Sequence, residues 1–172
     1  MAPTAEWLLT TRLDNDDALN PRFIETVQSH ARPGVREFLN PTYGLIVAYG
    51  RLYRHRGYSN PFITLSEPAA ESRTVLIDQH ALLARHGPVR QFALPDAWIQ
   101  VVHGGNLANQ ACGVRISPTK VSPDVLPPSL SASLADVRLG ELVLSNSFGF
   151  LRRNAGPAWR RVRSRWAERR TG

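Results

Sequence analysis

The acidic run at residues 14–17 (DNDD) constrains this chain more than any other feature, because it stands between a predicted strand and a predicted helix. Residues 6–13 (EWLLTTRL) form a short apolar and β-branched run, which predicts a buried strand. Asn20 then offers an N-cap and Pro21 a first helical residue, so a helix is expected to begin there. The chain therefore carries a carboxylate cluster at the end of a strand.

Asp14 and Asp16 have the D-x-D spacing that can hold Mg²⁺ or Mn²⁺. These ions prefer oxygen ligands and commonly share their coordination shell with substrate phosphates. The alternative is an acidic turn, since Asp and Asn form turns and helix caps without any ligand. An EF-hand loop is excluded, because Ala18 and Leu19 follow the run where that loop needs further ligands and a glycine.

The remaining apolar runs predict several more strands and one more helix. Strands are expected at residues 43–49, 60–67, 89–94 and 98–102, and a helix at residues 74–86. Residues 52–58 either pair with the strand before them or form a basic loop. The basic patch in this region is typical either of diphosphate or acceptor binding or of a solvated hairpin, and comprises Arg51, Arg54, His55 and Arg56.

Composition excludes several classes of protein. Cys112 is the only cysteine, which excludes an internal disulfide framework and a multi-cysteine metal site. No apolar run reaches the ~18 residues of a membrane span, and the first residues lack the features of a secretory signal. We therefore expect a cytoplasmic protein, or one at the inner face of a membrane.

The net charge of +7 lies entirely in the last 21 residues, which hold eight arginines against Glu168 alone. The body of the chain is balanced, so the charge does not indicate a nucleic-acid-binding protein. Residues 157–170 predict a helix on which Trp159, Val162 and Trp166 form one apolar stripe among arginines. This composition is typical of a helix in an anionic membrane interface. A helix docked on the protein's own surface and an unfolded basic end are the alternatives.

Three segments, Trp7–Leu19, Asn60–Pro68 and Ala97–Asn109, resemble in order and spacing the rhamnosyltransferase family of bacterial envelope-sugar enzymes. The resemblance covers about residues 6–116. We expect a domain at residues 1–116, a Pro/Ser-rich linker at 117–133 that is extended or disordered, and a weakly structured segment at 134–172. The resemblance implies an α/β, GT-A-like (Rossmann-like) sheet with flanking helices. It also implies transfer of a sugar from a nucleotide-sugar donor to a hydroxyl of a sugar or lipid-linked acceptor, with Mn²⁺ or Mg²⁺.

The resemblance also implies a role for each matching residue. Asp14 and Asp16 would hold the metal and the donor diphosphate, with His103 approaching from another strand end. The remaining donor-binding residues would be Arg12, Asp17, Gly104 and Asn106. A histidine such as His103 is otherwise a satisfied core or loop residue.

Glu67 is the expected general base, because inverting transfer needs a carboxylate that takes the proton of the acceptor hydroxyl. It ends a predicted strand just before Pro68, where a side chain could reach a cleft. The alternative for Glu67 is a solvent-exposed strand end. Asp78 and His80 are the other candidates for this role.

The chain departs from the GT-A pattern at its start, since the D-x-D strand begins within six residues of Met1. The elements that normally hold the base and ribose of the donor precede that strand. We therefore expect a partial sheet that lacks the N-terminal nucleotide-binding half. The alternative function that follows is a truncated, inactive or partner-dependent fragment that acts only as a binding or interaction module.

Overall fold

The structure is a computed structural model that describes residues 5–103, 112–135 and 137–147. It is α/β, with two mixed sheets and flanking helices. The strands are β1 (Trp7–Thr11), β2 (Ala18–Leu19), β3 (Glu37–Pro41), β4 (Tyr43–Ala48), β5 (Arg51–Arg56), β6 (Thr64–Pro68), β7 (Val89–Phe92), β8 (Trp98–Val102) and β9 (Val114–Ile116). The α-helices are α1 (Phe23–His30) and α2 (Pro128–Ser133), and residues 139–147 are also helical.

The strands form two sheets. One has the order β1-β6-β3-β7 and the other the order β2-β8-β4-β5-β9. β3 pairs with β7 and β4 with β8 in parallel, and the other pairs are antiparallel. β1 and β2 are edge strands of different sheets, so the acidic run between them crosses from one sheet to the other.

Trp98, the first residue of β8, organises the core beneath that crossing. Its side chain is 1% exposed and stacks on Phe62 with ring centroids 4.9 Å apart. The indole N–H donates a hydrogen bond to the carbonyl oxygen of Pro41 at 3.0 Å. A Cβ atom at Gly44 would overlap the indole ring, so only glycine lets β4 approach Trp98 this closely.

Most of the predicted strands are confirmed. The runs at 43–49 and 98–102 form β4 and β8, and residues 52–58 pair with β4 as β5 rather than forming a loop. The first helix begins later than predicted, at Phe23, while the Asn20 side chain accepts a hydrogen bond from the main-chain N–H of Arg22 at 2.9 Å. Asn20 thus caps the turn before the helix.

The predicted α-helix at residues 74–86 is wrong. This segment forms two short 3₁₀ helices, Val75–Ile77 and His80–Arg85. Thr74 has a φ of 64°, and the side chains of Thr74 and Asp78 accept hydrogen bonds from nearby main-chain N–H groups. Such local bonds compete with the α-helical pattern and divide the segment.

The interpretation of residues 117–133 as an extended or disordered linker is also wrong. Val121, Val125 and Leu126 are buried against Leu45, Ile99 and their neighbours on the second sheet, and α2 follows them. Prolines restrict the unfolded chain, which lowers the entropic cost of holding such a segment in place. Within the described ranges, no helix has the length and apolar character needed to cross a lipid bilayer.

Candidate functional site

The acidic run lies beside the C-terminal half of β8. At its start, the hydroxyl groups of Thr11 and Thr64 hydrogen-bond at 2.7 Å and fix the end of β1. At its end, β2 pairs antiparallel with β8, with Ala18 opposite Ile99. Antiparallel pairing means that residues before Ala18 lie next to residues after Ile99, so Asp16 and Asp17 lie next to the end of β8.

Asp16 meets His103 at this place. The Nε2 atom of His103 lies 3.1 Å from Oδ2 of Asp16, although 87 positions separate the two residues. His103 follows directly after β8 and its side chain is 55% exposed, while that of Asp16 is 34% exposed. The pair is therefore accessible to a ligand from solution.

Asp17 anchors the acidic run to β8. Its Oδ1 atom accepts a hydrogen bond from the main-chain N–H of Val101 at 2.9 Å. Burial raises the pKa of Asp17 to about 6 against the opposing effect of this hydrogen bond, and the charges of Asp16 and Asp14 raise it further. Three neighbouring carboxylates thus create a negative field that favours a bound cation.

Asp14 faces a different neighbourhood from Asp16. Its Oδ1 atom lies 3.4 Å from Nε of Arg12, and both residues line a cavity of about 340 Å³. His80 and Gln100 line the same cavity. Burial lowers the pKa of His80, and the charge of Arg12 lowers it further against the effect of Asp14, which favours the neutral imidazole.

The donor atoms of Asp16 and His103 fit a divalent cation as part of a larger ligand set. Two adjacent ligands of an octahedral ion at ~2.1 Å lie about 3.0 Å apart, which is close to the separation of these two atoms. Among the residues that the structure describes, no group of three or more His, Cys, Asp or Glu side chains is arranged to hold a metal. An ion at this pair would need oxygen atoms from substrate or water.

Comparison with known proteins identifies the family. A family model described as "Putative rhamnosyl transferase" matches residues 2–115, which is more than half of the chain. The chain belongs to this rhamnosyl transferase family. No curated protein and no solved structure matches the chain. Membership makes the protein a relative of glycosyltransferases, whose reaction involves a sugar donor and an acceptor.

The region matched by the rhamnosyl transferase family contains every residue considered for the site. The structure brings Asp16 and Asp17 to β8 and His103, and it places Arg12 and Asp14 on the neighbouring cavity. Gly104 and Asn106, the other expected donor-binding residues, lie outside the described residues.

Glu67 does not join this site, and we withdraw it as the general base. The residue is 0% exposed, whereas a general base must reach the acceptor hydroxyl. Its carboxylate accepts hydrogen bonds from Arg36 Nη2 at 3.0 Å and from the main-chain N–H groups of Arg73 and Thr74. The register places it opposite Leu8, about 10 Å along the strand from the end of β1. Glu67 organises the loop after β6.

The arginines Arg54 and Arg56 of the basic patch contact other side chains of the protein. Arg54 donates two hydrogen bonds to the carboxylate of Asp96, each at 2.9 Å. The guanidinium of Arg56 lies 5.2 Å from the ring centroid of Tyr43 and 4.8 Å from that of Tyr58. These contacts support the hairpin interpretation for both arginines.

His55 and Gln100 are cavity residues that the sequence did not single out individually. His55 lines the cavity, and its Nδ1 atom lies 3.4 Å from Sγ of Cys112. Gln100 shares a face of β8 with Trp98, two positions earlier, as the period of a strand requires. A polar residue two positions after Trp98, on the same face of the strand, was the available signal for Gln100.

Proposed function

We propose that this protein is a GT-A-like, metal-dependent glycosyltransferase that transfers rhamnose or a related deoxyhexose from a nucleotide-sugar to a hydroxyl acceptor of the bacterial envelope. The observation that carries the proposal is the pairing of Asp16 with His103 at 3.1 Å. The family match and the α/β architecture support it. An acidic turn without a ligand would not require a histidine from the end of another strand.

In this proposal Asp16 and His103 hold a Mn²⁺ or Mg²⁺ ion together with diphosphate oxygens. The chemistry that such an ion would supply is neutralisation of the negative charge on the departing diphosphate. The N–H of Val101 keeps Asp17, and with it the acidic run, in position beside β8. Arg12 lies next to Asp14 and offers a further positive charge to the phosphate groups.

The test is turnover by the full chain with rhamnose donors carrying dTDP, UDP or GDP in the presence of Mn²⁺. Release of nucleoside diphosphate, by transfer or by hydrolysis, is the measured signal. We expect Asp16→Ala and His103→Ala each to lower the rate by about 100-fold or more, because both remove a ligand that stabilises the leaving group. His86→Ala is the matched control, since His86 forms an equivalent pair with Asp78 at 2.9 Å elsewhere on the surface.

An equal loss of turnover rate in His103→Ala and His86→Ala would contradict the site assignment. Binding of Mn²⁺ and nucleoside diphosphate without turnover of any donor would instead support the alternative function, a binding module that does not catalyse transfer.

A further inference from the structure

The cavity beside Asp14 has walls from four separate parts of the chain. Arg12 and Asp14 come from the start of the acidic run, His55 from β5, His80 from a 3₁₀ helix and Gln100 from β8. Its volume of about 340 Å³ falls within the range of ~300–1,000 Å³ that is common for small-molecule sites. Residues 12–16 thus contribute both to the wall of the cavity and to the Asp16–His103 pair.

Several polar side chains that line the cavity make few or no hydrogen bonds to other described residues. Among the described residues, neither the His80 imidazole nor the Gln100 amide has a hydrogen-bond partner. Within the described ranges, the side chain of Arg12 makes only the long 3.4 Å contact with Asp14, whose side chain is 50% exposed. Together these groups offer donors and acceptors in one small space.

Other cavity residues are held rigidly by bonds to the protein. The side-chain amide of Asn60 donates to the carbonyl oxygens of Pro41 and Gly57, and its oxygen accepts from the N–H of Phe62. Ser59 Oγ donates to the main-chain oxygen of His80 at 2.8 Å, which fixes the turn that carries this histidine. The walls are therefore pre-organised, while the polar groups of His80 and Gln100 remain available.

We propose that this cavity binds a hexopyranose ring, with His80 and Gln100 hydrogen-bonding to its hydroxyl groups. A sugar ring presents hydroxyls that each donate and accept, which matches the mixed set of an amide, an imidazole, a guanidinium and a carboxylate. Asp14 connects the cavity to the acidic run, so a ring here lies next to the expected diphosphate. The inference rests on the proposed function and specifies which part of the site contacts the sugar.

Either the sugar of the nucleotide donor or the acceptor sugar has this chemistry, and binding measurements on the full chain distinguish the two. Calorimetry with Mn²⁺ compares each nucleoside diphosphate with its rhamnose conjugate, and saturation-transfer NMR follows free L-rhamnose and other free hexoses. The variants are His80→Ala and Gln100→Ala. Gln79→Ala is the control, because Gln79 is exposed beside His80 and does not line the cavity.

We expect each cavity variant to weaken binding of the ring about fivefold, the loss typical of one hydrogen bond, and to leave binding of nucleoside diphosphate unchanged. Thermal melts verify folding, and Gln100→Met, which keeps the volume, replaces Gln100→Ala if that variant unfolds. If the variants lose the affinity that the rhamnose conjugate has beyond that of the nucleoside diphosphate, the cavity binds the sugar of the donor. Loss of free-hexose binding alone assigns it to the acceptor.

Unchanged binding of both kinds of sugar in the His80 and Gln100 variants would overturn the proposal. This failure is separate from failure of the proposed function, which depends on Asp16 and His103. A chain that binds hexose through His80 and Gln100 but turns over no donor would retain the cavity assignment and lose the transferase assignment.

Discussion

The main-chain N–H of Val101 donates a hydrogen bond of 2.9 Å to Asp17, and this bond joins the acidic run to the strand that leads to His103. The two halves of the candidate site are thereby held together by one half-buried carboxylate. The same arrangement makes Asp17 costly to ionise, because burial removes water from its charge and two more carboxylates lie nearby.

Asp17→Asn should therefore stabilise the metal-free protein at high pH. The pKa of Asp17 in the folded state, about 6, is raised above its ordinary value of 3.8, so its contribution to stability is full below pH 3.8 and is lost as pH rises through 6. Asn cannot ionise and keeps an oxygen for the Val101 N–H. Because Asp17 is only half-buried, we expect a gain of about 1 kcal/mol at pH 8 and almost none at pH 4.

Urea unfolding in EDTA at pH 4, 6 and 8 measures this difference. Glu71→Gln removes an exposed carboxylate and is the control for loss of surface charge. A gain for Asp17→Asn that is the same at all three pH values would contradict the assigned cause.

Mn²⁺ should stabilise the wild-type protein through Asp16 and His103. At a Mn²⁺ concentration 100 times the Kd, the gain in unfolding free energy is about 2.7 kcal/mol, or roughly 5–10 °C in Tm. Asp16→Ala and His103→Ala should abolish this shift, whereas His86→Ala should retain it. Thermal denaturation with and without Mn²⁺ is the measurement, and an equal shift in the wild type and Asp16→Ala would show that the ion binds elsewhere.

Glu67→Gln should lower stability rather than catalysis. The substitution leaves Arg36 without its carboxylate and places an amide NH₂ against main-chain donors at residues 73–74. Because Arg36 is 36% exposed and can be rehydrated, we expect a loss of about 2–3 kcal/mol in urea unfolding. Turnover per folded molecule should change little. A stable Glu67→Gln protein with turnover reduced 100-fold would restore Glu67 as the base.

Gly44→Ala should destabilise the fold strongly. Its new methyl group would overlap the ring of Trp98, which is packed between Phe62 and the rest of the core and cannot move aside. We expect a loss of about 3 kcal/mol or more in the free energy of unfolding. Gly140→Ala is the matched control, since no atom lies within 4 Å of its added Cβ and the residue is helical. That variant should be neutral or slightly stabilising.

The C-terminal helix predicted at residues 157–170 lies outside the described residues, and its membrane binding stays a prediction. Deletion after Asn154 removes the whole predicted helix. Five of its arginines, expected to fill much of the circumference outside the apolar stripe, are each worth about 1 kcal/mol at an anionic surface, and they are Arg160, Arg161, Arg163, Arg165 and Arg169. The full chain should co-sediment with anionic liposomes, less so as salt rises, and the deleted form should not. Equal sedimentation with neutral vesicles would exclude an electrostatic anchor.

The sequence was sufficient where the signal is local. The apolar run before the acidic run, the β-branched runs of β4 and β8, and the position of His103 at a strand end all follow from neighbouring residues. The membership in the rhamnosyl transferase family could likewise be inferred from three segments in order, and the family match confirms it.

β3 shows where local signals fail. Its residues Glu37 and Asn40 are buried, although charged and amide side chains do not by themselves predict a buried strand. Glu37 is paired with Arg32 and Arg90, and Asn40 Nδ2 donates to Gln91 Oε1 at 2.6 Å. Arg90 and Gln91 belong to β7, about 50 positions further along the chain, so the burial of Glu37 and Asn40 depends on tertiary contacts.

The sequence by itself determined which chemistry is present: a D-x-D run, a histidine near a glycine pair and a set of strands with clear periodicity. Only the tertiary structure decided which of these groups meet. It paired Asp16 with His103, opened a cavity between Arg12, His80 and Gln100, and buried Glu67 away from both. The physical reason is that periodicity records which face of an element is buried, while distances between groups on different elements depend on sheet order and loop packing, which no short stretch of sequence encodes.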